Sequence, residues 1–333
     1  NTHVVKSLIE QFSHHIKEAL ESIKASSFQE PSRPIHNVLI TGLGGSGIGG
    51  TIIAGLASNL SKVPVLVNKD YSIPAFVNEN TLLVACSYSG NTEETVWATK
   101  EALKRGAIIA CISSGGELMN IAREEKLNLL SMQGGNPPRS MFAYSFSYLA
   151  YILEFYGIAR FNVKSDLENS IRLLEDSEEH CRQTAQQLAH KLKGTIPVIY
   201  AVSGQAGIAS RWRQQFNENA KMLCWEAEIP EMNHNELVGW EGGSDNFAAV
   251  FLRNSTDFDR NQKRIEIIKE IIGQKTSTLL EIWSKGETPL QRTFYLVHLG
   301  DWISYFLSEL NQVDILDIKS IDRLKSELSK VPH

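Results

Sequence analysis

The sequence predicts an α/β protein of two similar lobes, each built on a doubly wound parallel sheet, with helices at both ends of the chain. Short apolar runs alternate with amphipathic helical patterns, and this alternation stops after residue 132 and starts again at residue 196. The size agrees, because 333 residues, 42% of them hydrophobic and 21% charged, supply the cores of about two domains. We place the lobes at residues 1–160 and 161–333.

The first lobe is expected to begin with one long helix. Apolar residues recur along one face of residues 1–30, and Pro31 and Pro34 would end that helix. Five apolar runs follow, and helical spacing separates them. We interpret these runs as strands that form a parallel sheet covered on both faces: Val38–Thr41, Val63–Asn68, Thr81–Ser87, Ala107–Ser113 and Leu127–Met132.

The second lobe repeats this arrangement. Residues 140–160 and 163–191 predict two helices, after which four further strands are expected: Ile196–Val202, Glu226–Ile229, Phe247–Leu252 and Thr276–Trp283. Gly204 follows its strand as Gly42 does in the first lobe, and Ser255 corresponds to Ser89. The chain therefore reads as a duplicated α/β unit, and ligands of such sheets bind at the carboxyl ends of the strands.

Charge and composition exclude several classes of partner. The net charge of −5 argues against nucleic acid or an anionic membrane surface as a partner bound by general attraction. The four cysteines lie far apart without a CxxC pair, which is typical of the reducing cytoplasm. No apolar run reaches the roughly 20 residues that a membrane span needs.

Hydroxyl residues are concentrated where the strand Thr81–Ser87 ends and a helix follows. Ser87, Ser89 and Thr92 would lie beside the free N–H groups of that helix start, which favour an anion such as a phosphate. The alternative is a simple cap, in which Asn91 acts with Glu94 as a capping pair. This segment alone supports both interpretations equally.

A glycine-rich loop at 42–47 matches GxGxxG and lies between a strand and a helix, with Asp70 near the end of the next strand. An NAD(P)-linked oxidoreductase is therefore one alternative function. Ser46 in this loop and the hydroxyl cluster two strands later would instead converge on one point. Such convergence suits a single phosphomonoester better than a pyrophosphate.

At these residues the sequence resembles the SIS (sugar isomerase) domain family, and the two halves together resemble the bifunctional phosphoglucose/phosphomannose isomerases. The matching segments span about residues 35 to 325 in the expected order: 44–47, 87–92, 138–139, 217–221 and 230–236. Thr51 and Ser140 depart from the family pattern, where Asp and Ala are common. The resemblance implies flavodoxin-like lobes and a phosphate site of Gly45, Ser46, Ser87, Ser89 and Thr92.

The resemblance further implies an aldose–ketose isomerase, without metal or cofactor, that interconverts glucose 6-phosphate and/or mannose 6-phosphate with fructose 6-phosphate through a cis-enediol. Glu218 would be the base that moves a proton between C2 and C1. Arg139 would stabilise the enediolate, and His234, together with Lys325, would open the sugar ring. In related isomerases this histidine comes from a neighbouring subunit, which implies a homodimer.

Each of these residues also has a purely structural interpretation. Glu218 would share a polar helix side with Arg211, Gln214 and Lys221 and pair with Lys221 in solvent. Arg139 would solvate its turn, His234 would bond to the asparagines beside it, and Lys325 would belong to an ordinary amphipathic helix. A protein that only senses sugar phosphates is the alternative function, although such a sensor would have no need of a base at Glu218. The nine histidines are scattered, so no metal site is expected.

Overall fold

The computed structural model describes residues 2–332, and each half of the chain forms one parallel sheet. The helices and strands of the first half are α1 (Thr2–Glu10), α2 (Phe12–Ala25), β1 (Asn37–Thr41), α3 (Gly44–Ala57), β2 (Val65–Asn68), β3 (Thr81–Ser87), α4 (Glu93–Lys104), β4 (Ile108–Ser113), α5 (Gly116–Glu124), β5 (Asn128–Ser131) and α6 (Phe142–Phe155). A 3₁₀ turn, Pro138–Ser140, precedes α6.

The second half comprises α7 (Val163–Leu192), β6 (Ile196–Val202), α8 (Ala206–Ala220), β7 (Trp225–Ile229), α9 (Glu236–Gly239), β8 (Phe247–Arg253), α10 (Asp259–Gly273), β9 (Leu279–Trp283), α11 (Pro289–Leu310) and α12 (Lys319–Leu328). A 3₁₀ turn, Glu231–His234, follows β7. The predicted two-lobed α/β class is confirmed.

The two sheets have matching topology. The strand order is β2-β1-β3-β4-β5 in the first and β7-β6-β8-β9 in the second, so the second repeats the first without its last strand. This is the flavodoxin-like order, in which the chain reverses direction across the sheet between β1 and β3. Every residue of β3 is buried, because helices cover both faces of a central parallel strand. That burial explains why its sequence is continuously apolar.

Helices from both halves share one hydrophobic core. Helix α11 packs against α7 and α8, and α3 packs against both α6 and α8. The approach of α3 to the second half is so close that a Cβ on Gly55 would lie 2.5 Å from the Gly204 carbonyl oxygen. The C-terminal ends of β1 and of α8 are thereby brought to the same side of the molecule.

The single helix expected over residues 1–30 is wrong in two respects. The chain breaks at Gln11 into α1 and α2, and α2 ends at Ala25, well before Pro31. Ser26 closes the last turn through its Oγ, which donates to the Ile23 carbonyl at 2.8 Å. The chain then runs extended so that Phe28 packs edge-on against Tyr151 and Phe155. A tertiary contact thus ends the helix before proline can.

Candidate active site

The hydroxyl residues of two loops meet at the carboxyl ends of β1 and β3. Ser46 Oγ accepts a hydrogen bond from the Tyr88 backbone N–H at 2.9 Å, which ties the glycine loop to the end of β3. Ser87 Oγ lies 2.9 Å from Thr92 Oγ1 and accepts from the Gly90 N–H at 3.1 Å. This is the point where the strand order reverses, the usual ligand position in such sheets.

The alternative in which Asn91 caps α4 is wrong. Its Oδ1 accepts from the Glu117 backbone N–H at 3.0 Å and so joins α4 to α5. The N-cap of α4 is Thr92, and it makes no side-chain capping hydrogen bond. Ser89 is exposed and its Oγ accepts from the Asn91 N–H at 3.2 Å. The start of α4 therefore keeps backbone donors available for an anion.

The glycines of the loop at 42–47 allow backbone segments to touch. A Cβ on Gly47 would lie 2.3 Å from the Gly42 carbonyl oxygen, so strand and helix meet at van der Waals limits there. A Cβ on Gly45 would lie 2.6 Å from the Arg139 backbone nitrogen. Only glycine fits at this second position without displacing the Arg139 turn. Gly45 thus brings the hydroxyl cluster and Arg139 together.

Arg139 is a buried cation and does not solvate its turn. Its side chain is 4% exposed, and its Nε donates to Asn219 Oδ1 at 2.7 Å while its Nη2 donates to the Ile315 carbonyl at 2.8 Å. Burial lowers the pKa of the guanidinium, and the neighbouring Glu218 carboxylate opposes that shift. The group nevertheless stays charged, because arginine starts from so high a pKa.

Glu218 lies against this cation. Its Oε2 is 3.3 Å from Arg139 Nη1, and its side chain is 28% exposed, so one side of the carboxylate faces solvent. The alternative pairing with Lys221 is wrong, since Lys221 Nζ donates to the Glu218 backbone carbonyl at 2.5 Å. A carboxylate beside a fixed guanidinium, open on one side, can exchange a proton with a bound molecule.

The side of α8 that carries Arg211 is buried, whereas the sequence predicted an exposed polar side. Arg211, expected on the polar side, is 1% exposed and forms an ion pair with Asp301 at 3.0 Å. Burial raises the pKa of Asp301, and Arg211 opposes that shift. Gln215 and Asn219, also buried, continue the row at intervals of four. Sequence reasoning missed Arg211, Asp301 and the contact of Asn219, although polar residues spaced by four signalled a buried polar stripe.

Two predicted site residues are not brought to the Arg139–Glu218 pair within this chain. His234 ends the turn after β7 and is exposed. Lys325 lies on α12, where each residue is exposed. Neither residue forms a hydrogen bond or an ion pair with Arg139 or Glu218 in the described part of the chain.

The described residues contain neither a candidate metal site nor a helix that could cross a membrane. Over residues 2–332 no group of three or more His, Cys, Asp or Glu side chains could hold a metal ion. Within the same range, no helix has the length and apolar character required to cross a membrane.

Fold and site together define a two-lobed SIS-domain protein. Residues 33–153 match the SIS domain family, and residues 182–328 match the bacterial phospho-glucose isomerase C-terminal SIS domain. The chain belongs to the bifunctional phosphoglucose/phosphomannose isomerase family. It is 36% identical to the member from Caldicellulosiruptor bescii over 95% of this chain and 96% of that one. It is 33% identical to the Thermoplasma acidophilum member over 98% of this chain and 100% of the other.

Solved structures share the fold at lower identity. The C-terminal domain of glucosamine-fructose-6-phosphate aminotransferase from Francisella tularensis superposes with a TM-score of 0.73 at 14% identity, covering 93% of this chain and 97% of that one. Tagatose-6-phosphate ketose/aldose isomerase from Escherichia coli gives a TM-score of 0.70 at 14% identity, with 92% of each chain covered. Both likenesses concern the fold alone.

Proposed function

We propose that this protein interconverts glucose 6-phosphate and/or mannose 6-phosphate with fructose 6-phosphate through a cis-enediol, without a metal or cofactor. The observation that carries the proposal is the Arg139–Glu218 pair at 3.3 Å, joined through Gly45 to a cluster of hydroxyls at the start of α4. Curated family members carry the name of this activity. We keep the two lobes at residues 1–160 and 161–333.

In this scheme Gly45, Ser46, Ser87, Ser89 and Thr92 hold the phosphate with neutral donors. Such donors suit a protein whose net charge is −5, because they attract the anion locally. With the phosphate fixed there, the other end of an open-chain hexose extends towards the second half of the molecule.

Glu218 then removes the C2 proton of the aldose. The C–H electron pair becomes the C1–C2 double bond, and the carbonyl pair moves onto O1, where Arg139 stabilises the negative charge. Glu218 returns the proton to C1, and the hydroxyl proton of O2 passes to O1 as O2 becomes the ketone oxygen. Glucose and mannose 6-phosphates differ only at C2, so both pass through one enediol.

Proton NMR of fructose 6-phosphate in D₂O with EDTA present tests this function. We expect aldose 6-phosphate to appear with deuterium at C2, because a carboxylate base exchanges its proton with solvent between the two transfers. Glucose 6-phosphate alone would restrict the activity to one epimer. Line broadening without turnover would contradict the proposal and indicate a sugar-phosphate sensor, and binding of NADH would indicate the oxidoreductase alternative.

Ring opening is assigned to His234 of the neighbouring subunit of a homodimer, with Lys325 as a second group. His234 is exposed, and the segment that follows it carries Val238 at 73% exposure. Trp225, 39% exposed, donates to Glu236 Oε1 of the same segment at 2.6 Å. Exposed apolar residues beside a polar functional group are typical of a protein interface. A two-fold interface would place each His234 at the site of its partner.

Mixing two inactive variants tests the shared site. Glu218→Gln and His234→Ala dimers, each inactive alone, should regain about a quarter of wild-type activity after subunit exchange at equal amounts, because half of the dimers are mixed and each mixed dimer has one intact site. The measurement is the isomerase rate before and after exchange. If His234 acts within its own chain, no mixed dimer has an intact site and activity does not return.

Ser89→Ala tests the phosphate site. Removing an exposed hydroxyl that binds an anion should raise KM for fructose 6-phosphate about 10-fold or more, the loss expected for one hydrogen bond to a charged group, while kcat stays within about twofold. Ser255→Ala, at the corresponding position of the second lobe, is the matched control and should leave both constants unchanged. An unchanged KM in Ser89→Ala would remove Ser89 from the phosphate site.

A further inference from the structure

A buried ion pair lies directly behind Arg139. Arg211 on α8 and Asp301 on α11 have side chains that are 1% and 6% exposed, and Arg211 Nη2 lies 3.0 Å from both carboxylate oxygens of Asp301. Gln215 donates a further hydrogen bond to Asp301 Oδ1 at 2.9 Å. The pair forms no hydrogen bond or ion pair with Glu218 or the hydroxyl cluster in the described chain, so it has no direct place in the proposed chemistry.

The pair does hold the backbone of Arg139. Arg211 Nη2 also donates to the Arg139 carbonyl oxygen at 2.6 Å, a charge-assisted hydrogen bond. On its other side the Arg139 nitrogen meets Gly45, where an added Cβ would stand only 2.6 Å away. The residue is therefore held between the start of α3 and the guanidinium of Arg211.

The same turn of α11 supports the Arg139 side chain. Asn219, which accepts from Arg139 Nε, donates through its Nδ2 to Ser304 Oγ at 2.9 Å. Ser304 Oγ in turn donates to the Asp301 carbonyl at 2.7 Å. One helical turn, Asp301 to Ser304, thus fixes the backbone of Arg139 through Arg211 and its guanidinium through Asn219.

Electrostatics separates the roles of the two arginines. Asp301 contacts Arg211 and offsets part of its charge, although Arg211 still contributes to lowering the pKa of Arg139. Arg139 is left with Glu218 as its ion-pair partner, and Glu218 is partly open to solvent. The positive charge of Arg139 therefore faces the place where the enediolate would form. A buried ion pair is weak evidence for stability, since well-packed apolar residues of similar volume often stabilise a fold as well.

We propose that the Arg211–Asp301 pair, with Asn219 and Ser304, positions Arg139 for stabilisation of the enediolate. The proposal rests on the isomerase function proposed above. It assigns no contact with substrate to the pair, which acts only through the placement of Arg139. Misplacing a stabilising group by about 1 Å can cost 100-fold in rate, so the effect is measurable.

The test replaces both charges together, because removing one would leave the other buried and unpaired. The double variant Arg211→Met/Asp301→Leu should fold and lose about 10- to 100-fold in kcat, with KM within about twofold. A five-carbon hydroxamate 5-phosphate, which imitates the enediolate, should bind more weakly by the same factor. A hexitol 6-phosphate, which lacks the planar enediolate, should bind as before. A purely structural role would weaken both ligands alike.

A matched control exists in the second sheet. Arg253 is also buried and lies 2.6 Å from Glu281, which is partly exposed and also pairs with Lys269. The double variant Arg253→Met/Glu281→Leu removes this second ion pair, which has no hydrogen bond or ion pair with Arg139 in the described chain. Its kcat and both inhibition constants should stay unchanged. If this control loses activity to the same extent, loss of an ion pair elsewhere in the second half is damaging in itself and the positioning role is wrong.

A single substitution covers the case in which the double variant does not fold. Ser304→Ala leaves the ion pair in place and removes the acceptor of Asn219 together with the hydrogen bond to the Asp301 carbonyl, so it should show the same selective loss at a smaller size. If the wild-type protein isomerises and the variants are equally active, the positioning role alone is overturned. Wild-type protein that does not isomerise would overturn the proposed function, and the positioning role with it.

Discussion

Glu218→Gln is expected to abolish isomerisation while leaving the fold intact. Glutamine has nearly the same shape, but its amide cannot take a proton from C2, so kcat should fall by about 10²- to 10⁴-fold, the usual contribution of a positioned general base. The Glu218 side chain is partly exposed, and in the described part of the chain its carboxylate forms an ion pair only with Arg139. The substitution therefore disturbs little packing. The isomerase rate and the incorporation of deuterium at C2 are the two measurements, and both should fall together.

Ligand affinity distinguishes a base from a binding residue. The phosphate cluster does not include Glu218, so the affinity of Glu218→Gln for fructose 6-phosphate should stay within a few-fold of wild type. Glu270→Gln, on the exposed side of α10, makes the same chemical change elsewhere and should have no effect. Turnover in Glu218→Gln close to the wild-type rate would exclude Glu218 as the base.

The bounds of the strands could be predicted closely, because parallel strands covered on both faces appear in the sequence as short apolar runs. Thr81–Ser87 and Ile196–Val202 have the predicted bounds, and the other strands differ by three residues or fewer at either end. The N-terminal helix was predicted too long because its end depends on Phe28, whose aromatic partners lie on α6. Periodicity within a segment contains no information about such a partner.

The hydroxyl half of the proposed site could also be predicted from the residues, since Ser87 ends one strand and Ser46 and Thr92 follow strands that end at the same edge. The other half could not. Arg139 and Asn219 are separated by 80 residues and lie in different lobes, so their contact depends on how α3 and α8 pack. The resemblance supplied Arg139 and Glu218 as site residues. Arg211 was expected on an exposed polar side, but Asp301 on α11, together with Arg139 and Phe142 from the first half, buries it.

Each lobe would thus supply a different part of the proposed site. In the proposed scheme the first lobe supplies neutral donors at a helix start, where the phosphate would be bound. The second supplies the carboxylate of Glu218 and the polar groups that hold Arg139 in place. Because α3 approaches α8 at glycine positions, backbone contact and not long side chains would set the distance between the proposed phosphate site and the proposed base. Rigid spacing of this kind suits a substrate whose reacting carbons lie at the far end from its phosphate.

Arg139→Lys is expected to lower kcat by about 10²- to 10³-fold although the positive charge is kept. Three nitrogens of the guanidinium are used at once, towards Asn219, the Ile315 carbonyl and Glu218. A lysine ammonium is a single point of charge and cannot satisfy the two buried acceptors while also facing the enediolate. The loss would therefore measure the geometry of the cation and not its charge.

The measurements are kcat, KM and the thermal midpoint of unfolding. KM for fructose 6-phosphate should change little, because the phosphate cluster is untouched, and binding of the hydroxamate 5-phosphate should weaken in parallel with kcat. Arg160→Lys, an exposed arginine whose Nε donates to Asn162, makes the same change far from the site and should alter none of these values. If Arg139→Lys kept kcat within a few-fold of wild type, a nearby positive charge would be sufficient and the fixed fork of the guanidinium would have no role in stabilising the enediolate.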